Sequence, residues 1–202
     1  MRVMVVLAHP SAESLNAAIA QRALQALTRG GHEIYFHDLC REGFDPLLQG
    51  REMRKDAHLT PSVDEHCAEL RVSDGLIVVH PNWWGMPPAV LKGWIDRVIR
   101  PGVAYEFTDG DSGEGVPVGL LAGKTGLVFN TSDTPDARER GVFGDPLERI
   151  WKDCIFGFCG ITDFHRKVFN VVVTSTPAQR AGWLDEVEAT VNACFPPVGG
   201  GN

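Results

Sequence analysis

The alternation of short apolar segments with longer segments of helical periodicity constrains the fold of this 202-residue chain more than any other feature. Residues 3–8 and 75–80 are continuous runs of strand-forming residues, a pattern typical of strands buried on both faces. The segment after Ser14 repeats apolar residues at helical spacing and ends at Gly30 and Gly31, which predicts a capped helix. Strands and helices that alternate in this way predict an α/β domain, in which helices cover both faces of a parallel sheet.

The full pattern predicts one doubly wound, five-stranded domain over residues 1–195, followed by a flexible tail at residues 196–202. The expected strands are residues 3–8, 33–39, 75–80, 125–129 and 168–173. The expected helices are the segment after Ser14 and residues 61–73, 88–99, 146–158 and 179–194, with a loop at residues 41–60. Ligands of such sheets bind beyond the carboxyl ends of the strands, where the strand order reverses. We therefore expect the site in the loops after the first, third and fourth strands.

Composition and charge narrow the function classes. Hydrophobic residues make up 44% of the chain and charged residues 22%, values that are ordinary for a soluble globular protein with a full core. The net charge of −7 disfavours binding to nucleic acid. The longest aliphatic run is far shorter than the roughly 20 residues that span a bilayer, and the first residues do not resemble a signal peptide. We therefore expect a cytoplasmic protein.

The cysteines and histidines do not predict a metal site or a disulfide framework. The five cysteines show no C-x-x-C spacing, and the seven histidines show no ligand spacing, since His58 and His66 lie eight residues apart in a polar stretch. Cys154 and Cys159 lie in an apolar run, CIFGFCGI, and we expect both thiols to face the core. The sequence thus predicts free thiols and no bound metal.

The loop after the first strand is AHPSAESLN, which leads directly into a helix. Ser14 is a natural N-cap and Asn16 lies in the first turn, where free backbone N–H groups and the helix dipole favour a bound phosphate. The alternative is that Ser14 only caps the helix. The loop contains neither G-x-G-x-x-G nor G-x-x-x-x-G-K-[ST], so it does not match a dinucleotide turn or a P-loop.

The loops after the third and fourth strands carry different groups. The third strand is followed by HPNWWGMPPAVLKGW, in which Trp83 and Trp84 offer flat surfaces between prolines. A planar heteroaromatic ligand could lie there, and the alternatives are a partner-docking patch or packing on the next helix. After the fourth strand, Asn130, Thr131 and Ser132 could hydrogen-bond a ligand edge or form an ordinary surface loop.

Together these loops resemble the flavodoxin-like NAD(P)H:quinone oxidoreductases, a family that includes the DT-diaphorase type and bacterial quinone reductases. The resemblance rests on VLAHPSAESLN at residues 6–16 and HPNWWGMPPAVLKGWIDRV at residues 80–98, supported by PGVAYEF at residues 101–107 and FGFCG at residues 156–160. It implies a flavodoxin-like fold, a tightly bound flavin (FAD or FMN), NAD(P)H as co-substrate and a quinone-like acceptor. It also implies a homodimer with the flavin at the interface.

The resemblance assigns roles to individual residues. The flavin phosphate would be bound by His9, Ser14, Leu15 and Asn16. The isoalloxazine ring would be flanked by Pro81, Asn82, Trp83, Trp84 and Gly85, and its polar edge would be bordered by Asn130, Thr131, Ser132 and Asp133. The acceptor pocket would be lined by Tyr105, which is the candidate catalytic residue, with Phe107 and Phe143.

The chain departs from the family pattern in the region that stabilises charge on the reduced flavin. Phe143, in GVFGD, occupies the position of a histidine found in the eukaryotic-type enzymes, and no tyrosine precedes it nearby. The backbone amides of residues 131–133 are our candidate replacement. Two other functions of the same fold stay open at this point: a flavin-binding ancillary subunit of a potassium-efflux-type transporter, and a one-electron carrier like flavodoxin.

Overall fold

The computed structural model describes residues 1–107 and 117–199, and within these ranges it confirms the predicted α/β architecture. The strands are β1 (Arg2–Leu7), β2 (Glu33–Asp38), β3 (Gly75–Pro81), β4 (Tyr105–Glu106), β5 (Val118–Gly119), β6 (Thr125–Ser132) and β7 (Asp163–Asn170). The helices are α1 (Leu15–Arg29), α2 (Pro61–Val72), α3 (Ala89–Val98), α4 (Asp136–Arg138), α5 (Pro146–Arg149) and α6 (Pro177–Cys194). The helices α4 and α5 are continued by π-helical segments, Glu139–Phe143 and Ile150–Gly157.

Five strands form one parallel sheet in the order β2-β1-β3-β6-β7. The chain passes from β1 to β2 on one side and then to β3 on the other, so the strand order reverses between β1 and β3. A doubly wound sheet opens a crevice at that point, beyond the carboxyl ends of the strands. Among the described residues, no helix is both long and apolar enough to cross a membrane.

Two hydrophobic layers cover the sheet and explain why the central strands read as unbroken apolar runs. One layer packs α2, α3 and the helical segment after α5 against one face, with Trp94 and Trp151 fully buried in it. The other layer packs α1 and α6 against the opposite face. Every residue of β3 and β6 is buried, as expected for parallel strands that have helices on both sides.

Local signals fix the ends of α1. The Ser14 hydroxyl accepts a hydrogen bond from the backbone N–H of Ala17 at 3.1 Å, which confirms the predicted N-cap. At the other end, the Gly30 N–H donates to the Ala26 carbonyl, and Gly31 adopts a φ of +73°, a conformation that favours glycine. The Gly30 carbonyl in turn accepts from the N–H of Val198 at 2.8 Å, which ties part of the carboxyl-terminal segment to this turn.

Two sequence predictions are wrong in detail. The last strand of the sheet is Asp163–Asn170 rather than residues 168–173, because this edge strand is mostly half-buried and its polar residues do not form an apolar run. Cys154 is exposed, whereas Cys159 is buried as expected. The π-helical segment that carries Cys154 buries Trp151 and Ile155, so Cys154 lies on the opposite side.

The predicted loop at residues 41–60 is irregular except for a short 3-10 turn at Gly50–Met53, and a buried ion pair holds it to α3. Glu52 and Arg97 are both buried, and two Arg97 nitrogens donate to the two Glu52 carboxylate oxygens at 2.7 and 2.8 Å. Arg97 also donates to the Asp45 carbonyl, and Arg100 donates to the Glu52 carbonyl. The side-chain hydrogen bonds from Arg97 to the Glu52 carboxylate, together with the Arg97 charge, hold the pKa of Glu52 below its usual value.

We expect Glu52→Gln to lower the free energy of unfolding by about 3 kcal/mol, because it leaves the Arg97 guanidinium buried without a counter-charge. Urea unfolding at neutral pH measures this loss. Since the folded-state pKa of Glu52 is lowered, its contribution is complete above the ordinary glutamate pKa of about 4.3 and is lost on acidification. The stability gap between wild type and variant should therefore close as the pH falls below that value.

The matched control is Asp56→Asn, which removes a surface pair in which Asp56 and Arg54 are both largely exposed. Exposed pairs of this kind contribute about 0–1 kcal/mol, so this variant should unfold almost as wild type does. Equal stabilities for the two variants would contradict the anchoring role of Glu52.

Candidate functional site

A cavity of about 920 Å³ lies at the carboxyl ends of β1, β3 and β6, where the strand order reverses. Its size is within the range of small-molecule and cofactor sites. Twelve of the thirteen predicted cofactor-binding residues line it: His9, Ser14, Leu15, Asn16, Pro81, Asn82, Trp83, Trp84, Gly85, Thr131, Ser132 and Asp133. Phe143, predicted for the acceptor pocket, also lines it.

The first wall of the cavity is the start of α1. Asn16 is only 3% exposed, and its side-chain Nδ2 donates to the Thr131 hydroxyl at 2.8 Å, which joins α1 to the end of β6. Within the part of the chain that the structure describes, the Asn16 Oδ1 is buried without a donor. A buried acceptor without a partner is costly, so this oxygen indicates a ligand that brings a hydroxyl or N–H group.

The second wall is the turn after β3. Trp83 and Met86 exchange two backbone hydrogen bonds at 3.0 and 3.2 Å, and the Asn82 Oδ1 accepts the N–H of Gly85 at 2.9 Å. Trp84, at the tip of this turn, has a φ of +59° and is 96% exposed. Gly85 has a φ of +72°, and a Cβ there would lie 2.8 Å from Pro146, so the turn requires glycine for two reasons.

The third wall is the end of β6 and the loop that follows. The Asp133 Oδ1 accepts the backbone N–H of Val173 at 2.8 Å, and the Ser132 carbonyl accepts that of Val172. These bonds tie the β6 loop to the segment after β7. The Asp133 side chain is therefore held by the protein, although it stays at the cavity.

Asn130 is the predicted cofactor-binding residue that does not line the cavity. It is fully buried beneath the site, where its Nδ2 donates to the Nε2 of His80 at 2.9 Å and its Oδ1 accepts from the Nε of Arg166 at 2.7 Å. Thr131 instead turns toward Asn16 at the cavity wall. The resemblance assigned the same role to Asn130 and Thr131, although successive side chains of a strand point to opposite faces.

His80 is the centre of this buried network. Its Nε2 accepts hydrogen bonds from Trp151 and Asn130, both at 2.9 Å, so its proton is on Nδ1, which donates to the Pro81 carbonyl at 2.8 Å. Burial lowers the pKa of His80 to about 4, which keeps the ring neutral at physiological pH.

Arg166 completes the network by ion pairs with Asp145 and Glu148 at 2.8 and 3.0 Å.

Several cavity residues carry no local sequence signal and were not predicted. The buried Glu139 accepts a hydrogen bond from the Asn82 Nδ2 at 3.1 Å, and so links the π-helical segment after α4 to the turn after β3. The cavity is also lined by Glu13, Thr134, Arg138, Pro146, Val172 and Arg180. Glu13 and Thr134 extend the first and third walls, whereas the other residues come from four further segments that only the folded chain brings together.

Tyr105 and Phe107 do not line the cavity of the single chain. Tyr105 packs edge-on against Phe158 and Phe107, with ring centroids 4.9 and 5.9 Å apart. Phe107 is 47% exposed, and partial burial raises the pKa of Tyr105 above its usual value. These aromatic side chains therefore form a separate, half-exposed surface.

Comparison with known proteins agrees with this architecture. A family model described as flavodoxin-like fold matches residues 1–191. The chain is similar to an uncharacterized NAD(P)H oxidoreductase of Haemophilus influenzae, with 31% identity over 174 residues, which are 84% of this chain and 83% of the relative. It is also similar to NAD(P)H dehydrogenase (quinone) 1 of Rattus norvegicus, with 26% identity over 217 residues, which are 93% of this chain and 76% of the relative.

Among solved structures, the chain is similar to an FMN-dependent NADH-azoreductase from Bacillus anthracis in complex with FMN. The TM-score is 0.76 at 18% identity, over 96% of this chain and 99% of the other, a likeness that concerns the fold alone. The family model covers nearly the whole sequence, and the observed sheet order has the doubly wound topology. The chain therefore belongs to the flavodoxin-like fold family.

Proposed function

We propose that this protein is a flavin-dependent NAD(P)H:quinone oxidoreductase, which passes hydride from NAD(P)H to its flavin and then to a quinone-like acceptor in a ping-pong cycle. The observation that carries this proposal is the cavity at the strand-order reversal. There, beside the start of α1, the buried Asn16 Oδ1 accepts no hydrogen bond from the described residues. A polyhydroxylated, phosphorylated chain such as that of a flavin supplies both a donor and an anion. The names of the two oxidoreductase relatives support the proposal.

The start of α1 suits the phosphate of FMN or FAD. The N–H groups of Leu15 and Asn16 have no acceptor within the helix, because its first hydrogen bond runs from the Ala18 N–H to the Ser14 carbonyl. The positive end of the helix dipole lies at the same place. The Ser14 hydroxyl accepts a hydrogen bond from the Ala17 N–H, and this cap keeps the N–H groups of Leu15 and Asn16 in position. The structurally similar azoreductase binds FMN, and FMN is the smaller of the two candidates for this cavity.

The other two walls suit the ring system. The rigid turn at Trp83 and Gly85 offers backbone groups and an indole beside the cavity, and residues 131–133 border the opposite side. The flavin, when bound, supplies the hydride-accepting chemistry, while the protein positions the ring and excludes water. Phe143 lines the cavity but has no titratable group, so we assign the stabilisation of negative charge to the backbone amides of residues 131–133.

A homodimer accounts for the aromatic residues that the single chain leaves outside the cavity. Trp84 and Phe143 line the cavity and are exposed, and Phe107 is exposed on the separate surface that it forms with Tyr105. If two chains pair with the flavin between them, these aromatic residues of one chain can complete the acceptor pocket of the other. Neither oxidoreductase relative is named as a transporter subunit, so that alternative gains no support from them.

The absorption spectrum of the purified protein tests cofactor and donor together. We expect flavin bands near about 375 and 450 nm that bleach on anaerobic addition of NADPH or NADH and return when a quinone is added. Initial rates with both substrates varied should give the parallel double-reciprocal lines of a ping-pong mechanism. A protein that stays colourless after incubation with FAD and FMN would contradict the proposal.

Asn16→Ala is expected to weaken flavin binding about tenfold, since it removes one buried hydrogen bond to the ligand and the link to Thr131. Titration of the flavin-free protein, followed by fluorescence, measures the dissociation constant. The matched control is Asn192→Ala, which changes an exposed asparagine of α6 and should leave that constant unchanged. Equal flavin affinity in the two variants would remove Asn16 from the binding site.

Tyr105→Ala should raise the KM for a quinone about tenfold, because it deletes an aromatic surface on which a flat acceptor stacks. The flavin spectrum and the flavin dissociation constant should not change, since Tyr105 is outside the cavity. Steady-state kinetics with a naphthoquinone measure the effect. Tyr35→Ala is the control, because Tyr35 is the other tyrosine of the chain and lies on the edge strand β2. Unchanged quinone kinetics in Tyr105→Ala would refute its role.

A further inference from the structure

A second group of polar side chains lies at the β2 edge of the sheet and shares no residue with the cavity. His37 is on β2, Glu42 is in the loop that follows, and His66 is on α2. The His37 Nδ1 lies 3.2 Å from the Glu42 Oε1, and the His66 Nε2 lies 3.4 Å from the Glu42 Oε2. One ligand atom from each of the three residues lies within 4.8 Å of the other two.

We propose that His37, Glu42 and His66 bind one divalent transition-metal ion, such as Zn²⁺. Two imidazoles and one carboxylate form a ligand set that zinc accepts, with a water molecule in the fourth position. With metal–ligand bonds of about 2.0 Å, the ligand atoms of a tetrahedral site lie about 3.3 Å apart. Each imidazole nitrogen lies at about that separation from one Glu42 oxygen, the His37 Nδ1 at 3.2 Å from Oε1 and the His66 Nε2 at 3.4 Å from Oε2. Since these are different oxygens, Glu42 must turn to present one of them to an ion that both imidazoles bind.

The surroundings of His37 support this assignment. The His37 Nε2 lies 2.5 Å from the Glu69 carboxylate, so a metal ion on Nδ1 would leave the other ring nitrogen donating to a carboxylate. This carboxylate–histidine–metal arrangement fixes the tautomer and orientation of a metal-binding imidazole. The group opens to a surface pocket of about 410 Å³ that Ser62 and Glu65 also line, which gives an entry path and room for a water ligand.

The two imidazoles are buried, whereas Glu42 is partly exposed and can close over an ion. The His37 and His66 rings pack face to face, with centroids 3.7 Å apart and planes inclined by 32°. Each ring has one nitrogen within 3.4 Å of a Glu42 oxygen. A bound ion would join β2, the following loop and α2, which are otherwise connected by hydrogen bonds to the Glu42 and Glu69 carboxylates.

The hydrogen bond from Trp94 to His66 disfavours metal binding by His66. Its fully buried Nε1–H donates to the His66 Nδ1 at 2.9 Å, so the neutral ring carries its proton on Nε2, the nitrogen that the metal needs. An ion must displace this proton and disturb the Trp94 hydrogen bond. The site is therefore expected to bind more weakly than a closed structural zinc site, and its affinity depends on Trp94.

Metal titration of the untagged, full-length protein tests the proposal independently of flavin content. Equilibrium dialysis against micromolar Zn²⁺ should give one bound ion per chain, and Co²⁺ should give the visible absorption of a tetrahedral site. Glu42→Gln and His37→Gln should each lower the affinity at least about tenfold. The control is His165→Gln, which changes an exposed histidine that lies 2.9 Å from Asp163 and should leave the affinity unchanged.

Trp94→Phe separates this site from adventitious binding at surface histidines. It removes the donor that holds the His66 proton on Nε2, so Zn²⁺ affinity should rise several-fold in variant protein that is folded by circular dichroism. The absence of stoichiometric binding, or binding that survives Glu42→Gln, would overturn the proposal. A folded Trp94→Phe variant whose affinity does not rise would show that His66 is not a ligand, and would overturn the three-residue site. If Trp94→Phe does not fold, the Glu42→Gln and His37→Gln results decide alone.

Discussion

The buried hydrogen-bond network around His80 is the interaction on which the cavity depends. His80 is the second-last residue of β3, and Asn130 lies near the end of β6. Trp151 comes from the helical segment after α5, and Arg166 comes from β7. Buried polar groups are tolerated only when they are paired, and here the neutral His80 ring and the Asn130 amide use each side-chain nitrogen and oxygen in a hydrogen bond. The network therefore fixes the carboxyl ends of β3 and β6 relative to each other and to the middle of β7, and so the positions of Pro81 and Thr131 at the cavity.

The same network also positions the π-helical segment Glu139–Phe143, which lines the cavity. Arg166 is buried, and its charge is balanced by Asp145 and Glu148 at the start of α5. Asp145 has a φ of +45°, an unfavourable conformation for a residue other than glycine, which the ion pair with Arg166 can hold. Because Asp145 immediately follows the segment that carries Glu139 and Phe143, the pairing of Arg166 with Asp145 positions that segment over the site.

The sequence predicted the strands, helices and caps that depend on local patterns. It missed the contacts between residues that are distant in sequence and meet only in the folded chain. The central strands and the Ser14 cap were predictable because a continuous apolar run and a capping serine act locally. The edge strand β7 was displaced in the prediction because its half-buried residues carry no such run. Asn130 and Thr131 look equivalent in sequence, but the strand pleat sends one into the buried network and the other to the cavity wall. No local sequence pattern marks Glu139 and Arg180 as cavity residues, because they reach the cavity only through the fold of the whole chain.

The turn at Trp84 combines a strained backbone with an exposed aromatic side chain at the cavity. A tryptophan with a φ of +59° costs about 1–3 kcal/mol, and here the indole is 96% exposed, so burial does not offset that cost. The backbone bonds between Trp83 and Met86, and the Asn82–Gly85 bond, hold the turn in this conformation. Such a turn presents a rigid apolar surface at the cavity mouth before anything binds there. In the proposed flavin-bound homodimer, a planar ligand and a second copy of the chain would cover this indole and bury its apolar surface.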